Sequence, residues 1–131
     1  MKTMAFNEAL REGLHEEMAR DDSIFVIGED VITHGGPYKV TEGVAERFPG
    51  RIFETPIAEA GIVGVGVGAA LDGKRPGVAL VYINLETWTM GEGVTEADNI
   101  GDIGGGHGKW PRVHLLALGR GRLIYCTHHN I

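Results

Sequence analysis

The sequence predicts an α/β fold: a mainly parallel sheet with helices on both faces. Three observations carry that expectation. Short apolar runs at 23–27 and 78–83 read as strands buried on both sides, with a further strand over 51–55 between them. Stretches with a helical apolar period separate these runs, and strands alternating with helices indicate a parallel sheet. Glycine is abundant, 21 of 131 residues, more than twice the usual share of about 7%.

Each element follows from its pattern. Over 3–20, Phe6, Leu10, Leu14 and Met18 recur every four residues, with Ala9 and Gly13 on the same side and Glu8, Arg11, Glu12, Glu16 and Glu17 opposite. That spacing predicts an amphipathic helix. Asp21 and Asp22 end it, and a strand follows over 23–27, stopped by Gly28. His34-Gly35-Gly36-Pro37 marks 31–40 as loop. Thr41 is placed to cap a short helix over 41–48 that ends at Pro49-Gly50. A second strand over 51–55 stops at Pro56, and an apolar, small-residue helix runs over 57–71 to Asp72-Gly73. The run at 78–83 is apolar throughout and partly β-branched, the clearest strand of the chain. Beyond it, 86–100 has helical hints interrupted by Gly91 and Gly93, 101–109 is glycine-rich loop, and 113–118 reads as a further strand. No internal repeat or linker divides the chain, so 1–131 is read as a single domain.

Composition narrows the function classes. Hydrophobic residues make up 43% and charged residues 23%, as in ordinary globular proteins. No run of about 18 apolar residues is present, which argues against a membrane span. The net charge is −6, with 12 Lys+Arg against 18 Asp+Glu, a poor match to nucleic acid or an anionic membrane. Cys126 is the single cysteine, so there is no internal disulfide framework. The charged, amphipathic N-terminus lacks the apolar core of a signal peptide, and the expected location is cytoplasmic.

Several motifs invite a functional reading. Gly64, Gly66 and Ala69 match G-x-G-x-x-A, the dinucleotide pattern. Pro56 separates the nearest strand from these glycines, whereas Gly61, Gly64 and Gly68 fall on one helix face. Close packing against a sheet or a partner helix explains them better. Gly104 to Lys109 resembles a P-loop, but Ile103 and Trp110 stand where its glycine and hydroxyl residue are required. His128 and His129 lie near Cys126 without any metal-ligand spacing, so no metal site is expected. Glu59 stands at a helix start among Ile57, Ala58, Ala60 and Ile62. Its charge suits the positive helix terminus, worth about 0.3–1 kcal/mol. Apolar neighbours would also raise its pKa and make it a proton donor near neutrality.

The motifs also occur in a recognisable order. Ile27-Gly28-Glu29-Asp30-Val31 is followed by Tyr38-Lys39-Val40-Thr41-Glu42-Gly43, then Arg51 through Gly61 with its Thr55-Pro56-Ile57-Ala58-Glu59 core, then Gly64 to Ala70 and Gly73-Lys74-Arg75-Pro76. Over 6–84 the chain resembles the β subunit of the E1 component of 2-oxo acid dehydrogenase complexes. The resemblance implies a thiamine diphosphate-binding, transketolase-type pyrimidine domain, here incomplete. It implies that Glu59 contacts N1′ of the aminopyrimidine and promotes the tautomer that takes up the thiazolium C2 proton. Glu29, Ile57 and Leu85 then fall among the cofactor-binding positions, with Leu85 where the family carries an aromatic residue that packs on the pyrimidine. The diphosphate and Mg²⁺ would be held by an E1α-type partner. By this resemblance the chain supplies part of an oxidoreductase and is inactive alone. The alternative is a non-catalytic domain that keeps the fold and self-associates as a homodimer through the Gly61, Gly64 and Gly68 face.

Overall fold

The computed structural model describes residues 3–36, 38–80 and 114–117. Helix α1 (Phe6–Arg20) leads into strand β1 (Ile24–Glu29). A loop and the short helix α2 (Val44–Arg47) connect to β2 (Ile52–Thr55). Helix α3 (Glu59–Leu71) crosses back to β3 (Arg75–Leu80), and β4 (His114–Ala117) completes the described elements. The sheet order is β2-β1-β3-β4, and each neighbouring pair is parallel. The α/β expectation therefore holds. The reading at 86–109, Leu85 and the tail residues lie outside the described residues.

Two apolar layers flank the sheet. On one face Ile27, Val78 and Leu80 pack with Ile62, Val63 and Val67 of α3. On the other, Val26 and Ile52 pack with Met18 of α1, Val44 of α2 and Val31. Burying each such aliphatic side chain contributes about 1.5–3 kcal/mol. The alternation of Val26 and Ile27 between the two layers is the period of a strand.

Local boundaries differ from the sequence pattern for physical reasons. Gly28 does not stop β1; the strand runs through it to Glu29. A Cβ at Gly28 would lie 2.6 Å from the Ala79 carbonyl oxygen, so glycine lets β1 lie this close to β3. β3 starts earlier than its apolar run, taking in Pro76. The Arg75 N–H donates to the Ser23 carbonyl on the β1 side, so the nitrogen of Pro76 turns away from β1. On that other side the described pairing runs from Gly77 and His114 onward, and the start of a strand is where a proline is tolerated. Thr41 is not a helix cap. It is buried, and its hydroxyl donates to the Val31 carbonyl at 2.8 Å. The residue before α2 is Gly43, at φ 78°.

The helices also turn differently from expectation. Along α1 burial deepens towards the C-terminus. Phe6 is 77% exposed, Leu10 and Leu14 are half-buried, and Met18 is completely buried. Ala9 is exposed rather than on a packed face. In α3 the glycine face is not the packed one. Ile62, Val63, Gly66, Val67 and Ala70 face the sheet, while Gly61 and Gly68 are exposed. The larger apolar side chains win the sheet because they remove more area from water.

An ionic latch closes the N-terminal ends of the strands. Arg51 donates from Nε to the Ile24 carbonyl at 2.8 Å and from Nη2 to the Asp21 carbonyl at 2.6 Å. Its guanidinium lies 5.2 Å from the centre of the Phe48 ring. Arg75 pairs with Asp21 at 2.7 Å. The Ser23 hydroxyl and N–H, and then Arg75, hold the Asp21 carboxyl down at about 2.

Candidate functional site

The opposite, C-terminal ends of β1 and β2 finish side by side, with Glu29 paired to Thr55. Partners in a parallel ladder carry their side chains on the same face of the sheet. Ile27, two residues back along β1, packs against α3. Glu29 and Thr55 therefore belong to the α3 face. Pro56 ends β2, and α3 begins at Glu59, four residues after Thr55. The chain path thus brings Glu29, Thr55 and Glu59 to one corner, beyond the carboxyl ends of parallel strands, where ligand sites of α/β sheets lie.

The corner is electrostatically uneasy. Glu29 is half-buried. Burial pushes its carboxyl above the ordinary range, and the charges of Asp30 and Glu59 push it further. Glu59 is half-buried in the first turn of α3, where the helix terminus favours a negative charge. Among the described residues, no hydrogen bond or ion pair engages either carboxylate. The Thr55 hydroxyl oxygen is buried and also lacks a hydrogen-bond partner. Such an atom costs free energy to keep, about 1–3 kcal/mol.

Glu54 behaves in the opposite way. It lies on the other face of β2 and accepts from the Ile32 and Thr33 N–H groups, both at 2.7 Å, and from the Thr33 hydroxyl. These bonds, led by those from Thr33, hold its carboxyl below the ordinary range. They fasten the loop after β1 to the end of β2, and so fix one wall of the corner.

The residues singled out in the sequence divide as follows. Glu29 and Glu59 come together at the corner. Ile57 sits on the turn between them and α3, but is 70% exposed. The apolar enclosure expected for Glu59 is therefore absent among the described residues, since Ala58 and Ala60 are exposed too. Leu85 lies outside the described residues. Gly64, Gly66 and Ala69 fall inside α3 and not at a strand-to-helix turn, so they form no pyrophosphate cradle. Thr55 was passed over within its motif. The signal that finds it is its position as the last residue of β2, in register with Glu29.

The donor set suits one half of a thiamine-type cofactor. A half-buried carboxylate can accept from a ring nitrogen, and a second carboxyl beside it can hold a proton. Among the described residues, no group of three or more His, Cys, Asp or Glu can hold a metal ion. The two carboxyls at the corner suit hydrogen bonds to a pyrimidine ring. No described helix is long and apolar enough to cross a membrane.

Along most of its length the chain is similar to known proteins. The family model for the transketolase pyrimidine-binding domain matches residues 2–90. The chain is 44% identical over 122 residues to the pyruvate dehydrogenase E1 component subunit beta of Rickettsia felis, across 92% of this chain and 37% of that protein. It is 40% identical over 129 residues to the subunit of the same name from Rhizobium meliloti, across 98% of this chain and 28% of that protein. The mitochondrial subunit of Saccharomyces cerevisiae is 40% identical over 113 residues, across 86% of this chain and 31% of that protein. The chain thus spans little more than a third of the length of these curated relatives at most.

Proposed function

The chain belongs to the transketolase pyrimidine-binding domain family, and on that premise we propose that it contributes the pyrimidine-side carboxylate of a thiamine diphosphate site in a 2-oxo acid dehydrogenase. The observation that carries this reading is the meeting of Glu59 with Glu29 at the carboxyl ends of parallel strands. Thiamine diphosphate, when bound, supplies the chemistry that releases the carboxyl group of a 2-oxo acid. The chain's own part is to accept a ring N–H at the Glu59 carboxylate and so bias the tautomer of the pyrimidine. Glu29 stands next to it as a second carboxyl whose hold on a proton is strengthened by burial and by the charges of Asp30 and Glu59. Ile57, exposed on the turn, offers an apolar edge to the ring. An E1α-type subunit supplies the metal and diphosphate end.

The test combines the chain with an E1α-type subunit, thiamine diphosphate and Mg²⁺, and follows decarboxylation of a 2-oxo acid. Glu59→Gln keeps the shape and removes the charge. It lowers the rate about 100-fold or more. An unchanged rate removes Glu59 from the reaction.

A second reading is favoured by the outer face of α3. Val65 is 55% exposed, beside exposed Gly61 and Gly68, on a helix whose sole charged residue is Glu59. Helices apolar on all sides are normally covered. This supports self-association through α3. A side chain at Gly68 meets nothing within 4 Å. Gly68→Leu therefore leaves the fold intact and disrupts helix-to-helix approach. Sedimentation equilibrium of the variant reads monomer where the wild type reads dimer; equal masses exclude this surface.

A further inference from the structure

The Thr55 hydroxyl is buried, without a partner among the described residues, and on the same sheet face as the Glu29 carboxylate directly across the ladder. Register partners have Cβ atoms about 5 Å apart. A glutamate side chain spans that gap by a rotamer change, with no backbone movement. We propose that Thr55 is a positioning residue for Glu29: its hydroxyl donates to the Glu29 carboxyl, and the bond is stronger when that group is ionised than when it carries a proton.

Three observations favour this use over a purely structural one. First, a threonine kept for packing alone can be valine, which fills the same space without a buried hydroxyl. Second, the oxygen is closed to solvent, so bulk water does not satisfy it. Third, the charged groups that act on Glu29, among the described residues, are Asp30 in the following loop and Glu59 at the start of α3. Both are acids. Thr55 is thus the neighbour across the ladder that can stabilise an ionised Glu29 by donating a proton. The Glu54 carboxylate on the same strand is already taken by Ile32 and Thr33 on the other face. The consequence for the site, which rests on the function proposed above, is a set point. Thr55 decides at what pH Glu29 gives up its proton beside Glu59.

The experiment needs neither cofactor nor partner subunit. The full chain, labelled with ¹³C at glutamate carboxyls, is titrated by NMR as wild type, Thr55→Val and Thr55→Ser. Thr55→Val moves the Glu29 midpoint upward by about half a unit to one unit, the worth of one hydrogen bond. Thr55→Ser keeps the hydroxyl and stays at the wild-type midpoint. Thermal unfolding shows Thr55→Val losing more Tm above the Glu29 midpoint than below it, because the bond to the ionised carboxylate is the stronger one. A Glu29 midpoint that is unchanged or lowered in Thr55→Val overturns the proposal. So does a fall in Tm that is equal on both sides of the midpoint, which marks the hydroxyl as structural. Either failure leaves the Glu59 assignment standing, since that is read from decarboxylation and not from this titration.

Discussion

At the N-terminal ends of the strands, acids meet bases: Asp21 pairs with Arg75, and Arg51 reaches Asp22 and two backbone carbonyls. At the C-terminal ends of β1 and β2, acids meet acids: Glu29 faces Asp30 and Glu59, and the hydroxyl beside it is unbonded. The same sheet supports both. The difference separates the end whose groups serve the fold from the end that we propose receives a ligand. Groups that stabilise a fold find partners within the chain, whereas a binding site holds polar groups whose partners arrive from outside.

The sharpest way to break this contrast is to remove the latch. Arg51→Ala deletes two hydrogen bonds to carbonyls and the contact with Phe48, and leaves the Asp21 carbonyl with the weaker bond from the Ile24 N–H. We expect it to cost about 2 kcal/mol in urea unfolding. A cost near zero would mean that the N-terminal end is not a stabilising region.

Smaller effects follow from pH, and the two ends have opposite signs. The Asp21 carboxyl lies at about 2 in the fold, below its ordinary 3.8. Its contribution is therefore present above pH 3.8 and is lost as pH falls towards 2. Glu29 is raised above its ordinary 4.5. Above that value the unfolded chain binds fewer protons than the fold, so Glu29 erodes stability as pH rises. Glu29→Gln should accordingly raise the Tm at pH 7 slightly, by less than about 1 kcal/mol in free energy. Asp21→Asn should flatten the stability profile between pH 2 and 4. Chemical unfolding of both variants across pH checks the pair. Slopes of the same sign would erase the distinction between the two ends.

Much of this architecture was legible in the residues. The apolar runs that became β1, β2 and β3 alternate with helices, and that order alone points to a parallel sheet. Boundaries were less legible, because they depend on tertiary neighbours. Gly28 reads as a stop in the sequence, but it becomes a strand residue once Ala79 lies against it. The inward face of α3 was misread for a related reason. Glycine spacing in an all-apolar helix gives no moment to orient it, and burial of Ile62, Val63 and Val67 sets the rotation. Glu59 was legible from its motif. The resemblance placed Glu29 in the same site, whereas the residues alone did not, since 30 positions separate the two and the β1–β2 register and the start of α3 bring them together.

The most direct test of the account is calorimetric titration of thiamine diphosphate with Mg²⁺ into the chain joined to an E1α-type subunit, as wild type and as Glu59→Gln. The account predicts binding to the wild type and an affinity at least about tenfold weaker for the variant, as expected when a charge-assisted hydrogen bond is lost. Equal affinity in the two proteins would contradict the claim that the carboxyl ends of the strands, through Glu59, receive the cofactor.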